Sequence, residues 1–292
     1  MLQTQLKEIE QILHAPKPSL DDFQYFKNLL GTVFKQLDYD ELKELVVGVR
    51  DSCPAINSLD TIQGSSIIKP YGYSGDFEII DKIYTMHMAE HEPYKSWDKL
   101  FHTSKAAIAV RNRKEYFKQI LRKLYKLDRD IMVLNLASGP CRDIAEHYQE
   151  FPDSKIWFEC IDMDPNAILY AERLLGENVS RVNFIQKNVF RVTPEKKYDL
   201  VWSAGLFDYF DDKAFVKVLK RFIDFDPTTK IIVGNFCDTN PSRAYMELMG
   251  DWYLHHRSRK NLFELTDQIG VSRENVTIDS EPEEVNLFLH IN

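Results

Sequence analysis

The sequence predicts an α/β protein: a sheet of five parallel strands closed by a C-terminal antiparallel hairpin, behind an all-helical N-terminal region. Three observations carry this. From residue 131 onward, short apolar runs (131–136, 156–161, 182–185, 200–202 and 231–233) alternate with helical segments at 141–148, 165–174 and 213–225. That is the pattern of buried parallel strands joined by crossover helices. Two last runs, 276–278 and 285–291, are separated by a gap too short for a parallel crossover, so antiparallel pairing is expected. Residues 1 to about 127 instead space their apolar side chains three and four apart, the period of a helix.

In the N-terminal region Leu2, Leu6, Ile9, Ile12 and Leu13 form a first stripe. Ser19, ahead of Asp21 and Asp22, is placed to cap a second helix with acidic residues in its first turn. Its stripe runs Phe23, Phe26, Leu29, Leu30, Val33, Phe34 and Leu37. Asp38 and Asp40 both stand where a cap would open a third helix carrying Leu42, Leu45, Val46 and Val49, and Pro54 ends that region. Gly, Pro and Ser then punctuate 64–76 so densely that the stretch reads as a loop, and helical patterning resumes over 77–88 and 104–127. The expected organisation is a helical domain over 1–103, containing loop 64–76, and an α/β domain over 104–292. No internal repeat is visible.

With 292 residues, 44% apolar and 12% aromatic, the chain has material for one large core or two modest ones, which excludes the disordered classes. A net charge of −8 repels phosphate backbones, so nucleic acid is not an expected partner. No run approaches the roughly 20 apolar residues that cross a bilayer, and no signal-peptide core is visible, so no integral membrane contact is expected. Cys53, Cys141, Cys160 and Cys237 lie far apart with no CxxC pair, which supports neither a disulfide framework nor a zinc knuckle. The expectation is a reduced, cytoplasmic protein; the sequence leaves its oligomeric state open. His87 and His91 are spaced like a zinc pair on a helix, yet Glu90 is not placed as in HExxH and no third ligand stands by, so no metal is expected.

The strongest motif is VLNLASGPCRD, beginning at Val133: an apolar strand, a turn of small residues, then a helix. Ala137, Ser138 and Gly139 let a ligand approach the backbone, and the helix start offers amide donors. The pattern G-x-G-x-x-G is absent, so a ligand without a close-packed pyrophosphate fits better. Strand 156–161 leads into Asp162, an acid placed to bond both hydroxyls of a ribose; Asp162 and Asp164 would otherwise cap the next helix. The third strand ends at Asn188 and Val189, an amide and an apolar neighbour suited to an adenine edge. The fourth ends at Ser203-Ala204-Gly205-Leu206-Phe207-Asp208-Tyr209. Ligands of open α/β sheets sit outside the carboxyl ends of the strands, where the strand order reverses.

These segments resemble a class I S-adenosylmethionine-dependent methyltransferase. VLNLASGP stands at the family's first motif, ECIDMDP at its acidic ribose motif and YDLVWSAGLFDYF at its fourth strand, and the terminal hairpin matches its last two strands. The first motif departs from the usual pattern at Asn135 and Ala137, where an acid and a second glycine are typical. The resemblance implies S-adenosyl-L-methionine as cofactor and a Rossmann-like sheet. It implies that Ala137, Ser138 and Gly139 pack on the cofactor, that Asp162 holds the ribose, that Met163 beside it also contacts the cofactor, that Asn188 and Val189 frame the adenine, and that Ser203 faces the methionine portion. KPYGYSGDFE (69–78) and NPSRAYMELMGDWYLHHRSR (240–259) resemble a bacterial subgroup forming 3-hydroxypalmitic acid methyl ester.

Further residues admit two readings each. Loop 64–76 would fold over the cofactor, with Tyr73 as an apolar lid and Asp76 for the methionine ammonium; otherwise it is a connector whose Asp76 caps the next helix. Arg111 or Arg113 would hold a carboxylate, or both belong to a solvated arginine face. After the fifth strand, Arg243, Trp252, Tyr253, His255 and Arg257 line up as substrate contacts, while Met246, Met249 and Trp252 also fit a core stripe. A carboxylate acceptor needs no general base at neutral pH. An amine or hydroxyl does, and Asp208, Tyr209 or His255 would supply it. The function expected is methyl transfer to a small molecule, in its finer form a carboxylic (hydroxy-fatty) acid. The alternatives are N- or O-methylation of another metabolite, or a cofactor-binding regulatory protein. The fourth strand lacks the Asp/Asn-Pro-Pro-aromatic motif of nucleic-acid amino-methylation.

Overall fold

The computed structural model describes the chain except Met1, Pro16 and Ser52 and the side chains of Leu2, Gln3, Gln36, Tyr39, Leu45 and Val49. The places assigned to Leu2, Leu45 and Val49 in the apolar stripes therefore lie outside the described residues. The helices are α1 (Leu2–Leu13), α2 (Leu20–Gln36), α3 (Tyr39–Asp51), α4 (Ile62–Ile68), α5 (Phe77–Tyr84), α6 (Tyr94–His102), α7 (Lys105–Tyr125), α8 (Arg142–Glu150), α9 (Pro165–Leu175), α10 (Asp212–Phe225), α11 (Arg243–Gly250) and α12 (Arg259–Ile269). The strands are β1 (Ile131–Leu136), β2 (Ile156–Asp162), β3 (Val182–Gln186), β4 (Leu200–Ser203), β5 (Lys230–Phe236), β6 (Val276–Ser280) and β7 (Asn286–Ile291). The chain divides into two compact units: residues 1–108 with 240–253, and residues 109–239 with 254–292.

The first unit is helical. Ser19 caps α2 through a capping box with Asp22, and Asp38 accepts the Asp40 amide at 3.1 Å at the start of α3. Its core holds Phe23, Phe26, Trp97 and Tyr245, with Tyr245 edge-on to Phe23 at 5.5 Å and to Phe26 at 6.4 Å. This ring cluster explains why 240–253 joins the helical unit, where the sequence placed it with the sheet. Tyr245 Oη donates to Gln63, and Gln63 Nε2 donates to Met249 O at 2.6 Å.

Two expectations are corrected here. The loop assigned to 64–76 begins only after α4: Gly64, Ser65 and Ser66 are helical and buried. Thr61 caps that helix by accepting the Gly64 amide at 2.9 Å, and Ser65 and Ser66 bond back to Thr61 O and Gln63 O. Gly64 is glycine because a Cβ there would collide with the Ser58 backbone. The small residues that read as a loop thus serve close packing. The helix expected to run to 88 ends at Tyr84, so His87 and His91 do not share a helix face. The unanticipated α6 is anchored by Asp98, whose two carboxylate oxygens accept the Ile62 amide at 2.8 Å and the Ala89 amide at 2.7 Å.

The second unit holds one seven-stranded sheet in the order β3-β2-β1-β4-β5-β7-β6, parallel except where β7 pairs with β5 and β6. The expected strands and hairpin are all present. Apolar clusters cover both faces. One joins Leu134, Leu136, Val201, Phe215, Leu219 and Leu262; the other joins Phe117, Val133, Phe158, Trp202 and Phe288. Burial on both faces is why the strands read as continuous apolar runs. The strand order reverses between β1 and β4, which puts the switch point at the loops following those two strands.

Candidate active site

At the switch point the chain leaves β1 through a strained turn. Ala137 (φ 52°), Gly139 (φ 55°) and Cys141 (φ 53°) all adopt left-handed backbone, which costs roughly 1–2 kcal/mol for a residue with a Cβ. The turn is held across β2: Ser138 N donates to Ile161 O at 3.2 Å, and Gly139 N donates to Asp162 Oδ2 at 2.9 Å. The other Asp162 oxygen accepts the Asp164 amide at 3.0 Å, and Asp162 O accepts from Lys187 N at 2.9 Å. Asp162 thus latches the ends of β1, β2 and β3 together. Burial pushes its carboxyl above the usual range, and the two amides partly pull it back.

Space above this latch is open: a Cβ on Gly139 would meet nothing within 4 Å. Beside it the Ser138 hydroxyl is buried without a partner. Met163 is 66% exposed, Val189 is buried, and Phe190 is exposed with its ring tilted against Phe210 at 4.9 Å. The Asn188 side chain accepts the Phe190 amide at 2.9 Å, so its carbonyl shapes the turn after β3. Asp164 caps α9 by accepting the Asn166 amide. Ser203 is fully buried and donates to Leu136 O at 2.9 Å, tying β4 to β1.

Beyond β4, Asp208 is buried with its Oδ1 unpartnered. Burial raises its carboxyl to about 6, against the lowering influence of Arg113 and Arg257. His255 N donates to Asp208 O at 2.7 Å, while the His255 side chain is exposed. Tyr209 is 39% exposed. Arg257 does not present free donors to a substrate. Its Nε and Nη2 bond Asp212, its Nη1 bonds Phe207 O and Asn235 Oδ1, and its Nη2 also bonds Phe210 O. All of its donor nitrogens hold the β4 and β5 loops in place. Arg113 is likewise buried, with Nη1 donating to Ala204 O at 3.2 Å and Nε unpartnered.

The remaining sequence-predicted residues belong to the helical unit. Asp76 is buried and caps α5, accepting the Glu78 amide at 3.0 Å and the Ile79 amide at 2.9 Å, and burial raises its carboxyl. Tyr73 is 38% exposed on the segment after α4. Arg243 donates to Glu247 on its own helix at 2.7 Å, Trp252 is buried, and Tyr253 is exposed beneath Lys43 Nζ at 5.4 Å. Among the described residues, no group of His, Cys, Asp and Glu could hold a metal ion, and no helix is long and apolar enough to cross a membrane. Sequence reasoning missed Asn286, whose side-chain amide is buried and wholly unpartnered at the start of β7. Its signal was a polar residue opening the otherwise apolar run NLFLHI.

Five parallel strands, an antiparallel terminal pair and a glycine turn latched by an acid at the switch point give the chain the fold of class I methyltransferases. Residues 133–225 match the model of a family described as a methyltransferase domain. Malonyl-[acyl-carrier protein] O-methyltransferase 1 of Ilyobacter polytropus is 30% identical over 139 residues, 47% of this chain and 45% of the relative. The chain therefore spans less than half the length of the curated relative it matches. A possible exported protein from Bordetella parapertussis superposes with a TM-score of 0.64 at 14% identity, over 99% of this chain and 94% of that one. The methyltransferase SibL in its apo form superposes with a TM-score of 0.50 at 14% identity, over 85% and 72% of the two chains. At these identities the two structures bear on the fold.

Proposed function

We propose that this chain is an S-adenosylmethionine-dependent methyltransferase that acts on a small carboxylic acid to give a methyl ester. The observation that carries the cofactor is the Asp162 latch. A buried carboxylate takes one amide on each oxygen and keeps lone pairs for ribose hydroxyls, beside a glycine turn that is open above. The buried, partnerless Ser138 hydroxyl fits the same group. Ala137, Ser138, Gly139 and Met163 would lie against the cofactor, Asp162 would hold its ribose, and Asn188 and Val189 would frame the adenine. When bound, the cofactor supplies a methyl group on a cationic sulfur, which a nucleophile takes in line while the C–S electron pair leaves on sulfur. The chain's contribution is to bind, align and exclude water.

An acid acceptor is supported by its chemistry: a carboxylate is ionised at neutral pH and needs no proton removed. The curated relative bears the name of an O-methyltransferase of a malonyl group. A hydroxy-fatty acid is the finer form of this reading, and rests on segments 69–78 and 240–259. A second reading, methylation of an amine or hydroxyl, is favoured by the buried Asp208, whose carboxyl near 6 is ionised at neutral pH and able to accept a proton.

Calorimetry with S-adenosylmethionine and S-adenosylhomocysteine, followed by mass spectrometry of acids, amines and phenols incubated with the enzyme, tests these. Methyl esters alone support the acid reading, and methylated amines or phenols support the second. Binding without transfer points to a regulatory protein, and no binding ends all three.

A further inference from the structure

Cys141 and Cys160 stand too far apart in the chain for any local cysteine motif, yet the fold brings their sulfurs to 3.9 Å. Both side chains are buried and both thiols are free. Their places in the fold are unequal. Cys160 lies in β2 between Asn135 of β1 and Phe184 of β3, so a paired strand on each side fixes its backbone. Cys141 ends the turn after β1, in left-handed backbone at φ 53°, and opens α8. The pair brackets the Asp162 latch, with Cys141 just past Gly139 and Cys160 just before Asp162. Ser138 joins the two sides: its carbonyl meets Cys141 Sγ at 3.7 Å, and its amide bonds Ile161 O, next to Cys160.

A disulfide is about 2.05 Å long, so closing this pair draws the sulfurs roughly 1.9 Å nearer. Side-chain rotation takes up part of that approach. Cys160 is held by strands, so the remainder falls on Cys141 and the turn 137–141. We propose that Cys141 and Cys160 are a reversible disulfide site, oxidised by peroxide, whose bond pulls the turn out of its cofactor-binding form. Hydrogen peroxide takes Cys141 to a sulfenic acid and releases one water. The Cys160 sulfur then attacks the Cys141 sulfur, the S–O bond breaks, and the oxygen leaves as a second water with the Cys160 proton. Two electrons pass from the two thiols to the peroxide bond. A dithiol reductant reverses the step by exchange.

The closed protein reacts slowly. Burial pushes the Cys160 thiol well above its ordinary value, and the thiolate is the attacking form. Oxidation therefore passes through opening of the turn, where Ala137 and Cys141 hold left-handed backbone despite carrying a Cβ. A ligand that keeps the turn closed slows it. The effect on cofactor affinity rests on the methyltransferase reading above; the disulfide itself does not.

Treating the full chain with millimolar hydrogen peroxide, then alkylating and mapping its peptides, tests the bond. A link between 141 and 160 forms, and dithiothreitol removes it. Saturating S-adenosylhomocysteine slows its formation at least fivefold. By calorimetry the linked protein binds S-adenosylhomocysteine at least tenfold more weakly than the reduced one, and dithiothreitol restores the affinity. Cys160→Ala binds within about threefold of reduced wild type and shows no loss that dithiothreitol reverses. Cys141→Ala behaves alike and serves where Cys160→Ala does not fold. No link in the peroxide-treated, ligand-free protein overturns the proposal and leaves the methyltransferase reading standing. A link with affinity within twofold of reduced protein, or a reversible loss that persists in the variants, overturns the switch. Reduced protein that binds no S-adenosylhomocysteine overturns the methyltransferase reading and the switch with it, and the peptide map alone then decides the disulfide.

Discussion

Replacing Asp162 by asparagine separates the two duties of that carboxylate. Its Oδ2 accepts the Gly139 amide at 2.9 Å and its Oδ1 accepts the Asp164 amide at 3.0 Å. Asparagine keeps one oxygen and turns the other into NH2, so one backbone N–H then faces a donor. A buried donor left without an acceptor costs about 1–3 kcal/mol. Against that, the variant no longer buries a charge, and burial is the main reason the carboxyl is raised, so the net loss of stability falls at the lower end of that range. Cofactor binding has no such compensation. A hydroxyl bonded to a charged acceptor is worth about 1.5–3 kcal/mol, which is roughly a 10- to 150-fold loss of affinity. Calorimetry with S-adenosylhomocysteine reads the second effect, and denaturant unfolding reads the first. Affinity within twofold of wild type in both Asp162→Asn and Asp162→Ala would refute the ribose assignment.

Gly139→Ala places a Cβ where nothing lies within 4 Å and at φ +55°. It should cost only about 1–2 kcal/mol of stability yet weaken S-adenosylhomocysteine binding by more than that; equal losses in the two measurements count against a ligand above the turn. Gly64→Ala drives a Cβ into the Ser58 backbone, which cannot yield, so the helical unit should lose several kcal/mol, about the upper range for single substitutions, and melt earlier by circular dichroism. Asp143 is raised by burial to about 6 from 3.8, so the folded state binds more protons than the unfolded one between those values and stability falls as pH rises through that window. Asp143→Asn removes this, gaining up to about 3 kcal/mol above pH 6 and little at pH 4; unfolding curves whose difference does not change with pH would contradict the burial argument.

The sheet unit was legible because its strands are buried on both faces and its helices on one, so periodicity alone separates them. Asp162 was legible because strand order places the end of β2 beside the turn after β1. The helical unit was harder: α4 hid behind Gly64, Ser65 and Ser66, small residues chosen for close approach and side-chain bonds back to the main chain. Arg257 looked like a substrate contact, and only long-range acceptors such as Asn235 and Asp212 reveal that its donors are spent. Asn286 stands out locally as a polar residue opening a strand, but that its side-chain amide goes unpartnered depends on its packing in the sheet, where it pairs with Phe236, fifty positions away in the chain.

The polypeptide passes between the two units at three points, 108/109, 239/240 and 253/254. Hence the helical unit is no detachable cassette: cutting at 108 would remove the ring partners of Tyr245 while leaving Tyr245 behind. Recombination at a single junction would hand a descendant one half of a core. Among related chains, changes at Phe23, Phe26 and Gln63 should accordingly keep step with changes at Tyr245 more closely than with their own sequence neighbours.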